Sequence, residues 1–307
     1  MALVNLKHIL THAKGNGYAV GAFNFVNLEM LQGIIDAAED AHSPVIIQTT
    51  EGAIEYAGIE YLAAIGITAA EKAHVDVALH LDHGKSLNTI MTAIRHGYTS
   101  VMIDASDKPF EENIVLTKEV VTISHTVGVS VEAELGRLRG IEDRLNVDEA
   151  DSSLVVPEQA LKFVNETGVD ALATAIGTSH GAFKFKGEPK LDLNRLETVA
   201  RLLDIPLVLH GASSVPQHII EEANRYGAMI QGAKGVPDDI MSQAIRRGIS
   251  KINTDTDLRL SFTTAIRKEL NTHPGVFDLR EILGAGRQAV KDMVLNRIGV
   301  FGSSGKC

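Results

Sequence analysis

The sequence predicts an α/β protein with a (β/α)8 TIM barrel, an extra helical insertion near strands seven and eight, and a helical C-terminal tail. Three observations support this fold class. Eight short apolar runs are typical of strands, the stretches between them have helical spacing, and the length of 307 residues suits such a barrel. Strands that alternate with helical segments favour βαβ units and a parallel sheet. A doubly wound sheet is the structural alternative.

Short runs of apolar and β-branched residues are the predicted strands. In chain order they are Tyr18–Phe25, Val45–Gln48, Val77–Leu81, Ser100–Ile103, Ser130–Glu134, Ala171–Ile176, Leu207–Leu209 and Lys251–Asn253. Eight such strands over this length indicate a complete barrel.

Segments with helical spacing fill the intervals between these strands. Apolar stripes occur in Leu28–Ile35, more weakly in Ile114–Thr122, and again in Arg195–Leu203. The stretch 211–248 is longer than one ordinary helix needs, so we expect an extra helix there. The chain after Phe262 is expected to form a helical tail that packs outside the barrel or against another subunit.

Composition restricts the class of protein. Scattered Pro and Gly residues and the lack of any low-complexity stretch predict a single barrel domain over residues 1–307. A formal net charge of −10 without a Lys/Arg-rich run argues against nucleic-acid binding. A small phosphorylated substrate remains compatible with this charge, because a few local donors can hold one phosphate.

The N-terminus and the cysteine content indicate the compartment. The segment MALVNLKHILTHAKGNGY has the pattern of an amphipathic helix rather than a signal peptide. The sequence contains no run of about 18 uncharged apolar residues, so no membrane span is expected. The single cysteine, Cys307, cannot form an internal disulfide, which is typical of a reducing cytoplasm.

Ionisable, hydroxyl and glycine residues follow nearly every predicted strand. In chain order they are Asn24, Thr49, Thr50, Glu51, Asp82, His83, Asp104, Ser106, Glu132, Glu134, Ser179, His180, Gly181, His210, Gly211, Ser213, Asn253, Asp255, Thr256 and Arg259. Each one alone is most simply a helix cap, a turn residue or a structural hydrogen-bonding group. Because the carboxyl ends of barrel strands meet at one mouth, their recurrence indicates a functional site there.

Three of these residues are histidines that could reach one ion. Neutral imidazoles from three strand ends, with a fourth position left open, are typical of a catalytic zinc site. Without cysteine ligands the site favours zinc, cobalt, iron or manganese over copper(I). We interpret His80, inside the third strand, as a core residue or a support for the site, and the other histidines as surface or structural residues.

The chain resembles the class II, metal-dependent fructose-bisphosphate aldolases over nearly its whole length. The similarity lies in GAFNFVNLE, ALHLDHG, SVMIDAS, SVEAELGRLRGIED, AIGTSHGAFKF, LVLHGASS and KINTDTDLR, of which LHLDHG and VEAELG are the most specific. The resemblance implies a lyase with a (β/α)8 barrel fold that acts in glycolysis and gluconeogenesis. It also implies that the enzyme is a homodimer or a homotetramer. It implies reversible cleavage of fructose 1,6-bisphosphate to dihydroxyacetone phosphate and glyceraldehyde 3-phosphate.

The same resemblance implies a metal centre. His83, His180 and His210 would hold the catalytic Zn²⁺. Asp104 and Glu134 would lie beside it, where the family can bind a second divalent ion. A monovalent cation, Na⁺ or K⁺, is also implied near the substrate phosphate. A cation coordinated by substrate oxygens stabilises the enediolate that cleavage leaves, so no protein nucleophile is needed.

Acid–base and substrate-binding roles follow from the resemblance as well. Asp82 would act as acid and base at the hydroxyl of the bond being cleaved, and Glu142, in a mobile loop GIEDRLN, would exchange the proton on the dihydroxyacetone-phosphate carbon. The implied substrate-binding residues are Asn24, Thr50, Gly181, Lys184, Gly211, Ser213, Asn253, Asp255, Thr256 and Arg259. Lys184 would be an extra phosphate contact, and Arg259 would bind the second phosphate as a bidentate donor.

Other functions compatible with a barrel are weighed against this one. A tagatose-1,6-bisphosphate aldolase differs in one stereocentre of its substrate, but the segment NTDTDLR and the insertion 226–247 resemble the fructose group. A non-catalytic sugar-phosphate-binding subunit would not need the three histidines and Asp82. A barrel metal hydrolase would need a water-activating arrangement in place of the Gly- and hydroxyl-rich ends of strands six to eight.

Overall fold

Eight parallel strands close into a barrel. The computed structural model describes residues 3–137, 139–142, 145–147, 153–180 and 191–307. The barrel strands are β1 (Val20–Asn24), β2 (Val45–Thr50), β3 (Val77–Gly84), β4 (Ser100–Ile103), β5 (Ser130–Leu135), β8 (Ala171–Thr174), β10 (Leu207–Leu209) and β11 (Ile249–Thr254). They follow chain order around the ring, and β11 pairs with β1 to close it. The predicted barrel is confirmed.

Strands β2 and β3 extend two and three residues beyond their predicted ends. The predicted ends are Gln48 and Leu81, because the polar residues that follow resemble loop residues. In the structure β2 continues to Thr50 and β3 to Gly84, and Thr50 is still in register with Asp82. Continued backbone pairing with a neighbouring strand therefore fixes the site residues at the barrel mouth.

The described ranges contain twelve helices. They are α1 (Leu6–Asn16), α2 (Leu28–Asp40), α3 (Glu51–Ala57), α4 (Ile59–Lys72), α5 (Leu87–Arg95), α6 (Phe110–His125), α7 (Pro157–Thr167), α8 (Leu193–Leu202), α9 (Gln217–Arg225), α10 (Asp238–Arg246), α11 (Thr256–Thr272) and α12 (Leu279–Phe301). The predicted insertion is confirmed as α9 and α10, which lie between β10 and β11. Within the part of the chain that the structure describes, no helix combines the length and apolarity needed to cross a bilayer.

The C-terminal tail consists of α11 and α12, as predicted. α12 packs outside the barrel against α2 and α11. A Cβ atom at Gly33 of α2 would lie 2.7 Å from the carbonyl oxygen of Arg287 in α12. Glycine at this position therefore permits the close approach of the two helix backbones.

Two apolar layers lie on the two sides of the barrel wall. The outer layer joins outward-facing strand residues, such as Phe23, Ile47 and Leu79, to the surrounding helices. The inner layer joins alternate strand residues to helix α1, and its members are Leu6, Ile9, Leu10, Ala13, Tyr18, Val20, Ala22, Ile46, Ala78, Ala171, Ala173 and Val208. Helix α1 thus closes the amino end of the barrel, which leaves the polar side chains for the carboxyl end.

A second, three-stranded sheet lies where the sequence analysis expects a loop. It contains β6 (Arg139–Glu142), β7 (Leu145–Val147) and β9 (Ser179–His180). β6 pairs antiparallel with β7 and parallel with β9. The expectation of a loop over GIEDRLN is therefore wrong for residues 140–142, 145 and 146. Their backbone groups pair between β6, β7 and β9, and no sequence pattern reveals these partners.

Candidate active site

Most of the predicted site residues meet at the carboxyl end of the barrel. The buried ones are Asn24, Thr50, Asp82, His83, Asp104, Glu134, His210, Ser213 and Asn253. They lie on five barrel strands and on the segments that follow β4 and β10. The geometry thus brings together side chains that are as much as 229 positions apart in the sequence, from Asn24 to Asn253.

Two of the three predicted zinc-binding histidines face each other. Nε2 of His83 lies 3.0 Å from Nδ1 of His210, and the two ring planes are inclined at 78°. Nδ1 of His83 contacts Oδ2 of Asp104 at 2.8 Å, and Nε2 of His210 contacts Oε1 of Glu132 at 2.8 Å. A carboxylate only accepts hydrogen bonds, so the ring nitrogens that touch Asp104 and Glu132 are the ones that carry protons.

The consequence for the facing nitrogens is electrostatic. In neutral rings, His83 Nε2 and His210 Nδ1 are both lone-pair acceptors, and a cation bound by both stabilises their close approach. Burial is the main cause that lowers the pKa of His210, so the neutral form of this imidazole predominates at neutral pH. Carboxylates behind ligating histidines are typical of metal sites, because they fix the tautomer and the ring orientation.

The donor set fits a divalent metal. Ligand atoms of Asp82, His83 and His210 all lie within 4.8 Å of one another, and those of His83, Asp104 and Glu134 form a second such group. Nitrogen and oxygen donors without thiolates suit zinc and related divalent ions. The side chain of His180, the third predicted ligand, lies outside the described residues.

An unusual backbone conformation turns His83 into the site. Its φ of 50° is in the left-handed region, and the register between β3 and β4 shifts between Leu81 and Gly84. Strict alternation would send Asp82 and His83 to opposite faces of the sheet. The left-handed residue breaks that alternation, so both side chains reach the mouth.

The carboxylate of Asp82 is held by three side-chain amides. Oδ2 accepts hydrogen bonds from Asn24 Nδ2 at 3.1 Å and Gln48 Nε2 at 3.0 Å, and Oδ1 accepts one from Asn253 Nδ2 at 3.1 Å. Oδ1 also lies 4.0 Å from Nε2 of His83. The predicted acid–base group is thus fully buried and held in place near Nε2 of His83.

Asp104 is held equally tightly. Its Oδ1 accepts hydrogen bonds from the backbone N–H and hydroxyl of Ser106, and its Oδ2 accepts from His83 and from Lys85 Nζ at 2.6 Å. Burial raises the pKa of Asp104, but the hydrogen bond from His83 and the positive charge of Lys85 outweigh burial and hold it well below its usual range. The group is therefore ionised at neutral pH.

A buried ionic network contacts His210 on the side of its Nε2 atom. Lys251 Nζ lies 2.8 Å from Glu132 Oε2, and both side chains are completely buried. His80 Nε2 is 3.7 Å from the same oxygen, and its Nδ1 contacts Ser100 Oγ at 2.9 Å. Burial raises the pKa of Glu132, but Lys251 and His210 hold it far below its usual range. His80 therefore supports the site, as the sequence analysis allows.

The loop after β10 is shaped by close packing. Gly211 has a φ of 60°, and a Cβ atom there would lie 2.6 Å from the carbonyl oxygen of Ser179. Only glycine accommodates both constraints. The Asp257 carboxylate then accepts hydrogen bonds from the backbone N–H groups of Ser214 and Val215, each at 2.8 Å, which fixes the loop beyond Ser213.

The first turn of α11 carries the remaining predicted substrate-binding residues. Asp255 and Thr256 begin the helix and are partly buried, and the side chain of Arg259 is 50% exposed. Arg259 donates to both carboxylate oxygens of Asp255, at 2.9 and 2.8 Å. The predicted phosphate-binding guanidinium is therefore already oriented by a carboxylate one helical turn away.

Other predicted residues are either committed locally or lie beyond the described side chains. The hydroxyl of Thr50 accepts a hydrogen bond from Ala53 N–H at 3.2 Å as the N-cap of α3. Gly181 and Lys184 lie outside the described residues. Glu142 is described as backbone of β6, and its side chain lies outside the described set.

Several residues of the site receive no specific role from the sequence. They are Gln48, Lys85, Glu132, Lys251 and Asp257. Gln48, Glu132 and Lys251 each stand two positions before a predicted site residue on the same strand. Since alternate strand residues share a face, this period of two is a signal that places them inside the barrel. Lys85 and Asp257 act through tertiary contacts that no local pattern indicates.

Comparison with known proteins gives consistent matches along the chain. A family model described as fructose-bisphosphate aldolase class-II matches residues 4–306. A fructose-bisphosphate aldolase of Helicobacter pylori is 51% identical over 305 residues, which cover 99% of each chain. One from Thermus caldophilus is 50% identical over 304 residues, with the same coverage. The crystal structure of the YdjI aldolase from Escherichia coli K12 is similar with a TM-score of 0.82 and 38% identity over 99% of each chain.

Proposed function

This chain belongs to the class II fructose-bisphosphate aldolase family, and from that premise we propose that it cleaves fructose 1,6-bisphosphate with a zinc ion held by His83, His180 and His210. The enzyme is a lyase of the aldolase type that acts on a phosphorylated sugar. The observation that supports the metal assignment is the pair of facing nitrogens of His83 and His210. In each ring the other nitrogen contacts a carboxylate, so the two facing nitrogens are the ones left to bind an ion.

Asp82 is the proposed acid and base at the hydroxyl next to the bond that breaks. Three amide donors fix its two oxygens, and its Oδ1 lies 4.0 Å from Nε2 of His83, a proposed ligand of the ion. In cleavage the carboxylate takes the hydroxyl proton, and in condensation it returns that proton. The bound divalent ion supplies Lewis-acid stabilisation of negative charge on the substrate oxygens.

Glu142 is the proposed group that exchanges the proton on the dihydroxyacetone-phosphate carbon. The backbone of its strand β6 pairs with β9, which contains His180. This pairing links the backbone of Glu142 to the strand that carries the proposed ligand His180, and exclusion of water from the site favours the proton transfer.

Phosphate recognition is proposed for the ends of the later strands. Gly181, Lys184, Gly211, Ser213, Asn253, Asp255 and Thr256 bind the dihydroxyacetone-phosphate end, with a monovalent cation, Na⁺ or K⁺, beside it, and Asn24 and Thr50 complete the pocket. Arg259 binds the second phosphate, and its pairing with Asp255 favours a guanidinium held ready for bidentate contact.

The setting of the enzyme is part of the proposal. We infer that it acts in the cytoplasm in glycolysis and gluconeogenesis, because its charged sugar-phosphate substrates do not cross membranes unaided. We infer a homodimer or homotetramer from the resemblance to the family. Neither nucleic acid nor membrane is expected as a partner, in line with the net charge of −10.

Zinc content and cleavage measured together test these roles. We expect Asp82→Ala to retain about one zinc ion per chain and to lose cleavage by about 10²- to 10⁴-fold, since it removes only proton transfer. His210→Ala is expected to lose zinc and cleavage together. His218→Ala, an exposed histidine on α9, is the control and should retain both. Full activity in Asp82→Ala, or full zinc content in His210→Ala, would remove that residue from its role.

A further inference from the structure

We propose that the ammonium of Lys85 supplies the positive charge at a second group of potential metal ligands in the barrel mouth. Each active site then binds one divalent ion and not two. The inference rests on the proposed metal centre and deepens it. It concerns the second group of potential ligands, which consists of His83, Asp104 and Glu134.

Two adjacent carboxylates create the need for positive charge at this position. Asp104 follows β4 and Glu134 lies on β5, and both are almost completely buried. Glu134 Oε2 is 3.9 Å from Nδ1 of His83 and also from Nδ1 of His210. Buried carboxylates that lie close together are stabilised by a cation, which can be a metal ion or a protein side chain.

Lys85 supplies that cation from the rim of the site. Its Nζ lies 2.6 Å from Asp104 Oδ2 and 3.4 Å from the Asp104 carbonyl oxygen. Its backbone N–H donates to Glu51 Oε1 at 2.9 Å, which anchors the residue directly after β3. The side chain of Lys85 is 29% exposed and that of Asp104 only 2%, so the ammonium reaches inward from the mouth.

The hydrogen bonds of Asp104 leave no position for a further ligand bond. A carboxylate offers about four acceptor sites, and Asp104 receives donors from His83, from Lys85 and twice from Ser106. A second metal ion bound to Asp104 would have to displace one of these donors. The side chain of Lys85 is 29% exposed at the mouth, and its charge also repels the incoming ion.

The chemistry of imidazole points in the same direction. A neutral imidazole has a single lone pair. When His83 uses Nε2 for the first ion, its Nδ1 carries the proton that Asp104 accepts. A second ion at Nδ1 would therefore have to remove this proton as well as displace the ammonium of Lys85.

Metal stoichiometry tests the inference directly. Wild-type enzyme, Lys85→Met and Lys85→Arg are first loaded with Zn²⁺, and then Mn²⁺ binding is measured by equilibrium dialysis and electron paramagnetic resonance of the free ion. We expect one zinc ion and no added manganese in the wild type and in Lys85→Arg. In Lys85→Met, which keeps the apolar stem, one manganese ion should bind with an affinity raised about tenfold or more, because the competing charge is gone.

A matched lysine provides the control. Lys108, in the β4–α6 segment, pairs through its Nζ with Asp107 at 3.6 Å and not with Asp104. Lys108→Met removes the same charge from the same face of the barrel and should bind no added manganese. Extra manganese in Lys108→Met would indicate a general charge effect and overturn the inference.

The remaining outcomes also decide the question. A wild type that binds two divalent ions tightly, or a Lys85→Met variant that gains none, contradicts the role of Lys85. A wild type that binds no zinc in the loading step contradicts the proposed metal centre itself, and the two failures are therefore distinguishable.

Discussion

His83 is a residue whose backbone departs from ideal strand geometry for a reason that the site makes clear. Its left-handed φ of 50° costs on the order of 1 kcal/mol for a residue other than glycine. The hydrogen bond to Asp104 and the contact with His210 hold the side chain in that orientation. The strain therefore lies at a proposed metal ligand, and a sequence pattern based on strand alternation cannot indicate it.

The buried pair of Lys251 and Glu132 gives a prediction about individual residues. Lys251→Met leaves the Glu132 carboxylate in the barrel interior without its cation. We expect the free energy of unfolding to fall by about 3–5 kcal/mol, the usual loss when one partner of a buried ion pair is removed. Denaturant unfolding of the purified variant measures this change.

A second substitution identifies the cause. In the double variant Lys251→Met with Glu132→Gln, the amide oxygen can still accept from His210, and no charge is left uncompensated. The double variant should therefore be clearly more stable than the sum of the two single effects predicts. Strictly additive losses would show that the two side chains do not act as a pair.

Helix α1 is the element that gives the barrel its two different ends. Its amphipathic pattern agrees with the sequence prediction, and Asn5 caps it by accepting a hydrogen bond from His8 N–H at 3.0 Å. Its buried face contacts the inner residues of the strands at their amino ends. With this end filled by apolar side chains, the ionisable residues are confined to the opposite end.

Leu10 tests the contribution of α1. The side chain is fully buried in the inner apolar layer, so Leu10→Ala removes contacts and leaves a cavity. We expect a loss of about 2–5 kcal/mol in the free energy of unfolding. Leu202→Ala, at a position that is 41% exposed in the last turn of α8, is the control and should cost much less. Equal losses of unfolding free energy in the two variants would contradict the role of α1 in closing the amino end of the barrel.

The elements that the sequence predicts well are those with a local signal. All eight barrel strands, the insertion and the helical tail are confirmed, because apolar runs and helical spacing are local patterns. The small sheet of β6, β7 and β9 has no such signal, since β6 and β7 are short and β9 joins them only by pairing with β6 across 40 residues. Of the site, the residues at strand ends are recognisable, whereas Lys85 and Asp257 depend on contacts that only the fold creates.

The barrel has apolar side chains at its amino end and many buried ionisable groups at its carboxyl end. These buried ionisable groups make the stability of the whole molecule depend on pH. Burial is the main cause that lowers the pKa of both His80 and His210. The unfolded chain, with histidine pKa values near 6.5, therefore binds protons that the folded state does not. The stability that these groups contribute is present above about pH 6.5 and is lost as the pH falls.

This dependence is measurable without metal. In EDTA, the melting temperature should stay level from about pH 8 to 7 and then fall towards pH 5, before the ionised Asp104 and Glu132 carboxylates begin to protonate. His80→Gln should reduce the slope, and His218→Gln, at an exposed position, should not. A melting temperature that is constant between pH 8 and pH 5 would contradict the neutral, buried state of these imidazoles.

At the level of the whole molecule, the barrel mouth is expected to carry out metal-dependent aldol cleavage. The most direct measurement is the release of triose phosphates from fructose 1,6-bisphosphate, before EDTA treatment, after it, and after zinc is added back. We predict that EDTA abolishes cleavage and that about one zinc ion per chain restores it. Cleavage that persists after the metal has been removed, as verified by metal analysis, would contradict the claim.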